Sequence, residues 1–332
     1  MSARVAKRLI LLAALSVAAL VVAPFVGMHV MSPLEVLRAE FERRVFFQLR
    51  VPRVLVGYLA GGGLAVCGMV FQAVFRNPLA DPYTLGIASG ASFGASLAIL
   101  FGGAVGLAGL PATSAGAFAG AMLAMAIVYG FTRIPRIASG LSVLLVGVAI
   151  SFMFSSFLMF AQFMSDQRHS FAIVRWLMGG LEVYGYGNVL MMLPLYLAGL
   201  VVVGLKLPEL DHLLTGEDLA ATRGVDVART KVALFTATSL TVSAVVSLCG
   251  PVGFVGLMAP HICRLFFAND HRVLAPASFL FGGAFLVICD AAARTIIAPT
   301  EIPVGVITAL CGGPFFLWLL LARVRRGGEV FR

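Results

Sequence analysis

Few side chains in this sequence have the type and spacing that catalysis or metal binding requires. The nucleotide-binding pattern GxxxxGK[ST] is absent, as are HExxH, GxSxG and an Asp-rich diphosphate motif. His261 and Cys263 are near neighbours, but no further ligand follows at metal spacing, which favours a packing role. The chain is therefore predicted to be no enzyme and to hold no cofactor or metal. If ATP drives it, another chain hydrolyses the ATP. The cysteines are odd in number and scattered through apolar stretches, which disfavours disulfides: Cys67, Cys249, Cys263, Cys289 and Cys311.

The charged residues with the most definite spacing are Asp290 and Arg294, which are four positions apart. On a helix they share one face and can form an ion pair. Asp290 is also the one charged candidate well inside a long apolar stretch. Ion-coupled transporters place acidic groups or broken helices near mid-membrane. A secondary transporter that works without an ATPase therefore stays open as an alternative function.

The composition places these residues in a membrane. Of the 332 residues, 60% are apolar and only 12% are charged, far from the balance of a soluble domain. Apolar stretches of about 20 residues recur, which predicts an all-α polytopic protein and not a β-barrel. The net charge of +9 is attributed to cytoplasmic loops and not to nucleic-acid binding.

Apolar stretches separated by polar turns predict about ten transmembrane helices in a single domain, 1–332. The stretch 250–267 is short enough to be re-entrant. Counting it as a span puts both termini and most Lys and Arg residues, including the RVRR tail, on the cytoplasmic side. Between the second and third spans, Asn77 and Asp81 are expected to cap helix ends in a compact inner loop, 76–82. The predicted spans are 9–31, 50–75, 85–105, 112–131, 140–164, 189–205, 232–249, 250–267, 273–298 and a last one ending near 321.

Small residues recur at helical spacing within several predicted spans. This GxxxG pattern lets membrane helices approach closely where no hydrophobic force drives them together. It predicts a tightly packed bundle and says little about substrate. The pairs are Gly57 and Gly61, Gly90 and Gly94, and Gly116 and Gly120.

The longest strongly polar break in the chain is the loop 206–231, KLPELDHLLTGEDLAATRGVDVARTK. Its apolar and charged residues alternate with a helical period, and Gly216 and Gly224 mark turns, which predicts a short helix on the cytoplasmic membrane surface. A plain connection would need far fewer residues. A docking element for a soluble partner is the sharper hypothesis, and a solvated surface loop is the simpler one.

Three long stretches resemble one known family. They are RVPR followed by GGGLAVCGMVFQAVFRNPLADPYTLGIASGASFGA, then CGPVGFVGLMAPHICRLFFANDHRVLAP, and finally EIPVGVITALCGGPFFLWLLL. They are similar to FecCD-type permeases, the membrane subunits of type II ABC importers for iron-siderophores, haem and cobalamin. With the polar loop, the resemblance covers 50–321.

The resemblance implies a permease homodimer with a central translocation pathway in the bacterial inner (cytoplasmic) membrane. It also implies two ABC ATPase subunits on the cytoplasmic side and a periplasmic substrate-binding protein on the other. The 206–231 loop would carry the coupling helices that fit a cleft on each ATPase. Asp218 and Leu219 depart from the family pattern Glu-Ala-Ala-x-x-x-Gly. The implied coupling residues are Thr215, Gly216, Glu217, Asp218, Ala220, Ala221, Arg223, Gly224 and Val225.

The resemblance further implies that Arg50, Arg53 and Arg294 receive acidic groups of the binding protein on the outer face. Arginine suits this role because its planar fork binds a carboxylate bidentately. The simpler interpretation is that these side chains reach lipid headgroups, or that Arg294 pairs with Asp290.

Small polar residues of the fifth predicted span are the candidates for the pathway and its gate. Ser139, Gly140 and Ser142 would let two helices meet on a dimer axis, or they are simple N-cap residues. Ser156 would line a water-accessible path or make a helix-to-helix hydrogen bond.

Overall fold

The computed structural model describes residues 3–101, 111–132, 140–267 and 269–325, and every regular element within these ranges is helical. Short 3₁₀ turns at Ala23–Phe25 and Pro82–Leu85 and a π turn at Phe46–Arg50 join the α-helices. The α-helices are α1 (Ala3–Val22), α2 (Pro33–Arg38), α3 (Glu40–Val45), α4 (Val51–Val74), α5 (Ile87–Phe101), α6 (Ala112–Thr132), α7 (Gly140–Phe163), α8 (Gln167–Leu177), α9 (Gly187–Leu205), α10 (Leu207–Leu214), α11 (Glu217–Thr222), α12 (Val227–Cys249), α13 (Val255–Phe267), α14 (His271–Ala293) and α15 (Val304–Arg325).

Seven segments of the described chain are long and apolar enough to cross a membrane, and α5, α13 and the Val304–Leu319 part of α15 are shorter apolar segments. The all-helical membrane architecture is confirmed; the count of about ten spans and the side of each terminus stay predictions. At about 1.5 Å per residue, α13 is only about 20 Å long, less than the ~30 Å hydrocarbon core of a bilayer. The helix within 250–267 is therefore short for a full span, and the count of this stretch among the ten spans stays a prediction.

Two predicted spans end earlier in the structure than in the sequence interpretation. The first helix ends at Val22 instead of near 31, because Pro24 follows in a 3₁₀ turn. The helix predicted to end at 298 ends at Ala293. There the side chain of Arg294 turns back toward Asp290 and the chain beyond it forms turns, so the helical ladder is not continued.

Close backbone contact between glycines holds the bundle together, as the GxxxG pattern predicts. A Cβ atom at Gly61 in α4 would overlap the carbonyl group of Gly282 in α14, and the reverse substitution would also clash. Gly90 and Gly94 in α5 meet α6 in the same way, against Gly116 and Gly120. The backbones of each helix pair are thus in direct contact, with no room for a side chain between them.

The segment between α4 and α5 begins with the exposed Arg76 and then folds back into the bundle, and its place on the inner side stays a prediction. Asp81 is buried and lies beside Gly256 at the start of α13, near the middle of α4. The irregular backbone is satisfied internally, as apolar surroundings demand: Asp81 Oδ1 accepts from Tyr83 N at 3.1 Å, and Tyr83 Oη accepts from Val252 N at 3.2 Å. The capping role predicted for Asp81 is confirmed, since it caps the 3₁₀ turn.

Helices α4 and α14 pack side by side, and the two candidate sites lie at their opposite ends. One end carries Arg53 of α4 and Asp290 of α14. The other end contacts α10 of the 206–231 loop. At about 1.5 Å per residue, this helix pair connects two regions about 35 Å apart.

Candidate functional site

The 206–231 loop folds into two short helices and not one. Gly216 has φ +123°, a backbone conformation that favours glycine, and it separates α10 from α11. Gly224, with φ +83°, ends the turn that follows α11. The predicted helix between these glycines is therefore present as α11, whereas Leu213 and Leu214 belong to the preceding helix, α10.

The base of this loop is anchored inside the protein. Leu210, Leu213 and Ala220 are fully or almost fully buried in a cluster that also contains Phe71 of α4 and Leu274 of α14. Burying side chains of this kind stabilises the contact by ~1.5–3 kcal/mol for each large residue. The α10–α11 unit is thus fixed to the bundle by an apolar root.

A buried polar contact also ties α10 to α14. Asp211 Oδ1 accepts from His271 Nδ1 at 2.5 Å and from the backbone N of His271 at 3.1 Å. The His271 side chain is completely buried, and within the described residues its Nε2 has no hydrogen-bond partner. Sequence reasoning missed this pair because its members are 60 residues apart and their types are ordinary for a loop and a helix start.

The tip of the loop is exposed and polar, although not every predicted coupling residue lies on it. Glu217 is half-buried and pairs with Lys231 at 2.6 Å, and Ala220 is buried. Ala220 therefore belongs to the interior of the unit, whereas Glu217 is held by an ion pair with 41% of its side chain exposed. Gly216 and Val225 are half-buried. The predicted coupling residues that present surface are Thr215, Asp218, Ala221, Arg223 and Gly224.

The start of α10 carries a local ion pair. Partial burial, the largest single influence, would raise the pKa of Glu209. The hydrogen bond from Lys206 Nζ at 2.7 Å, a backbone hydrogen bond and the neighbouring positive charges together outweigh burial and hold that pKa below its usual value. The carboxylate therefore stays ionised at neutral pH and fixes the first turn of α10 to its own N-cap residue.

At the other end of the bundle, Arg53 lies between two carboxylates. Its Nε and Nη2 donate to Asp290 Oδ1 at 3.0 and 2.8 Å, and its Nη1 donates to Glu301 Oε2 at 2.8 Å. The predicted Asp290–Arg294 pair is present, with Arg294 Nε 3.0 Å from Asp290 Oδ2. That nitrogen directs its hydrogen to the backbone O of Asp290 at 3.3 Å, so the contact is an ion pair without an aligned hydrogen bond.

Arg50 and Arg294 both donate to backbone carbonyls of the segment that follows α1. Arg50 bonds to Pro24 O at 3.1 Å and His29 O at 2.8 Å. Arg294 bonds to Val26 O at 2.8 Å, and only 3% of its surface is exposed. The three predicted docking arginines therefore form one cluster, but the structure gives each of them internal partners.

A cavity of about 950 Å³ opens above this cluster. Its wall includes the three arginines together with four carboxylates, from Glu35, Glu42, Glu182 and Glu301. A cavity lined by both signs of charge can accept a polar protein side chain. A charged side chain that enters it can replace one partner of an ion pair in the wall.

The predicted gate residues are less informative. Ser139 lies outside the described residues, and Gly140 begins α7. Ser142 is half-buried. Ser156 donates to Phe152 O at 2.9 Å, a bond within its own helix and not to a neighbouring one.

Comparisons with known proteins agree with one another. Residues 10–322 match the sequence model of the FecCD transport family. The cobalamin import system permease protein BtuC of Halobacterium salinarum is 42% identical over 275 residues, which are 83% of this chain and 73% of that protein. The hemin transport system permease protein HmuU of Yersinia pestis is 35% identical over 286 residues, 86% of this chain and 85% of that protein. A solved structure described as an inward-facing ABC transporter of the metal-chelate type superposes with a TM-score of 0.83 at 30% identity, covering 96% of this chain and 99% of that one.

Proposed function

This chain belongs to the FecCD transport family, and from that premise we propose that it is the permease subunit of a binding-protein-dependent type II ABC importer. Two copies form the central pathway in a bacterial inner membrane. Each copy is one domain of about ten spans with both termini in the cytoplasm. Two ABC ATPase subunits bind below, and a periplasmic substrate-binding protein docks above.

The observation that carries this proposal is the build of the α10–α11 unit. An exposed polar tip stands on an apolar root formed by Leu210, Leu213 and Ala220. A solvated connection would need no such root. A unit that transmits force needs one, because displacement of the tip must move the whole helix pair and not only the loop.

Transmission follows from the same contacts. ATP binding closes the two ATPases and displaces α11, and α10 passes this movement to α14 through the Asp211–His271 contact. The glycine contacts between α4 and α14 make that pair move as a body, which opens the central path to each side in turn. The permease itself contributes positioning and movement, and the partner chain carries out the hydrolysis.

On the outer face, Arg50, Arg53 and Arg294 form the receptor for acidic side chains of the binding protein. Arg53, whose side chain is partly exposed at the cavity wall, supplies the direct contact. Arg50 and Arg294 hold the segment after α1 in place beneath it.

The substrate class is an iron chelate (iron-siderophore or haem) or cobalamin. Support comes from relatives whose names specify cobalamin and hemin and from a solved relative of the metal-chelate type. These ligands are large, and a wide, weakly polar path would carry them without tight binding.

Reconstitution tests the proposal. The permease is placed in liposomes with its ATPase and binding protein, and uptake of cyanocobalamin, haemin and a ferric hydroxamate siderophore is compared with and without ATP. Uptake of one class that needs both partners and ATP is expected. Uptake by the permease alone under a proton or sodium gradient would instead establish the ion-coupled alternative.

A further inference from the structure

Arg53 is shared by two carboxylates of very different accessibility. The side chain of Asp290 is 1% exposed, whereas that of Glu301 is 42% exposed. Asp290 receives two hydrogen bonds from Arg53, and Glu301 receives one, at 2.8 Å from Nη1. The fork of the guanidinium is therefore divided between a buried partner and a solvent-facing one.

The buried partner cannot be replaced. Asp290 also balances Arg294, 3.0 Å away, whose own side chain is buried. Removing this carboxylate would leave the buried Arg294 without an ion-pair partner and Arg53 with Glu301 alone, which costs several kcal/mol. Glu301 forms no second ion pair among the described residues. Its pair with Arg53 faces water, and such a pair contributes only about 0–1 kcal/mol.

Glu301 also lies on the wall of the cavity through which an acidic side chain would approach Arg53. It lies in the turn before α15, and it lines the 950 Å³ cavity together with Arg53. A carboxylate that entered the cavity and bound Arg53 Nη1 would lie beside the Glu301 carboxylate, whose Oε2 is 2.8 Å from the same nitrogen. Two carboxylates cannot share that position without like-charge repulsion.

We propose that Glu301 is an internal stand-in for the docking partner's carboxylate: it occupies Arg53 Nη1 in the free permease and is displaced when an acidic side chain of the substrate-binding protein enters the cavity. The inference rests on the proposed function. Exchange of one carboxylate for another keeps Arg53 paired at every stage. The binding free energy of docking then includes only the difference between two similar ion pairs. Docking therefore stays weak and reversible, as repeated delivery of substrate by the binding protein requires.

The test measures the Kd between the permease–ATPase complex in nanodiscs and the binding protein that supports uptake in liposomes. Glu301→Gln should lower the Kd roughly two- to fivefold, because the competing charge is gone. The matched control is Glu42→Gln. Glu42 lines the same cavity and forms no ion pair within the described ranges, so its variant should leave the Kd close to wild type.

A variant of Arg53 tests whether the effect depends on the contact between Arg53 and Glu301. Arg53→Lys keeps a cation for Asp290 but lacks the second arm of the fork, so adding Glu301→Gln to it should change the Kd little.

An unchanged or raised Kd in Glu301→Gln overturns the inference. An equal gain in affinity in Glu42→Gln also overturns it, because that result would indicate a general charge effect. If the wild-type complex binds no such protein, the proposed function fails as well. Wild-type binding without a Glu301 effect rejects the stand-in alone.

Discussion

At the scale of single residues, accessibility separates structural charges from functional ones. Arg294 is a predicted docking residue, yet it is buried and bonds to nearby backbone and pairs with Asp290. Arg53 has the same chemistry with one arm at the cavity wall. Reversing all three arginines would therefore disturb the fold as well as docking, and Arg53 is the position at which docking can be tested separately.

Asp290→Asn should destabilise the permease by ~3 kcal/mol, because it leaves buried Arg294 without a counter-charge. Chemical denaturation in detergent, followed by tryptophan fluorescence, measures the loss. Glu182→Gln is the matched control, since Glu182 pairs with Arg175 at 2.6 Å on an exposed surface and its loss should cost little. Equal stabilities of the two variants would contradict the structural role of the buried pair.

At the scale of elements, the α10–α11 unit has separate surfaces for a partner and for its own bundle. Asp218 and Arg223 face outward, whereas Asp211 and Ala220 face inward. A change at the tip should thus alter partner affinity, and a change at the root should alter transmission.

Asp218→Arg should weaken binding of the ATPase subunit by about tenfold, because it reverses an exposed charge at the proposed contact. Co-purification at increasing salt and microscale binding assays measure this affinity. Glu182→Arg makes the same charge reversal at an exposed acid outside the loop and should leave ATPase binding unchanged. Wild-type affinity in Asp218→Arg would place the partner's contact elsewhere.

Asp211→Asn should leave the ATPase bound but lower substrate uptake per ATP hydrolysed by roughly three- to tenfold, because the charged link to His271 is lost. The measurement is the ratio of uptake to phosphate release in proteoliposomes. Glu209→Gln is the control on the same helix, because Glu209 pairs only with nearby Lys206 among the described residues. A normal ratio in Asp211→Asn would show that the contact does not transmit movement.

At the scale of the whole molecule, the α4–α14 pair joins the two candidate sites. The pair is held by backbone contact at Gly61 and Gly282, and it ends at the Arg53–Asp290 cluster on one side and at α10 on the other. In the proposed importer, such a connection would let the state of the ATPases alter the surface offered to the binding protein.

Gly282→Val should destabilise the fold by ~2 kcal/mol or more, because a side chain there would overlap α4. Thermal unfolding of the purified protein and the recovered monodisperse fraction measure this effect. Gly130→Val is the control, since a Cβ atom at Gly130 would meet no other atom within 4 Å. Equal melting temperatures would show that the two helices separate at little cost.

The sequence by itself determined the helical membrane class, the spacing of the small residues that allow close helix packing, and the Asp290–Arg294 pair. Each of these depends on hydropathy or on spacing within one helix, and helix geometry alone fixes which neighbours meet. The turns at Gly216 and Gly224 were predictable for the same reason.

Only the tertiary structure decided which distant residues share a site. Arg53 meets Asp290 and Glu301 across separations of 237 and 248 residues, and Asp211 meets His271 across 60. The depth of Asp81 and the burial of Ala220 likewise depend on how α13 and the core pack around them. Local spacing cannot specify such contacts, because they exist only after the helices have packed together and each buried charge has found its partner.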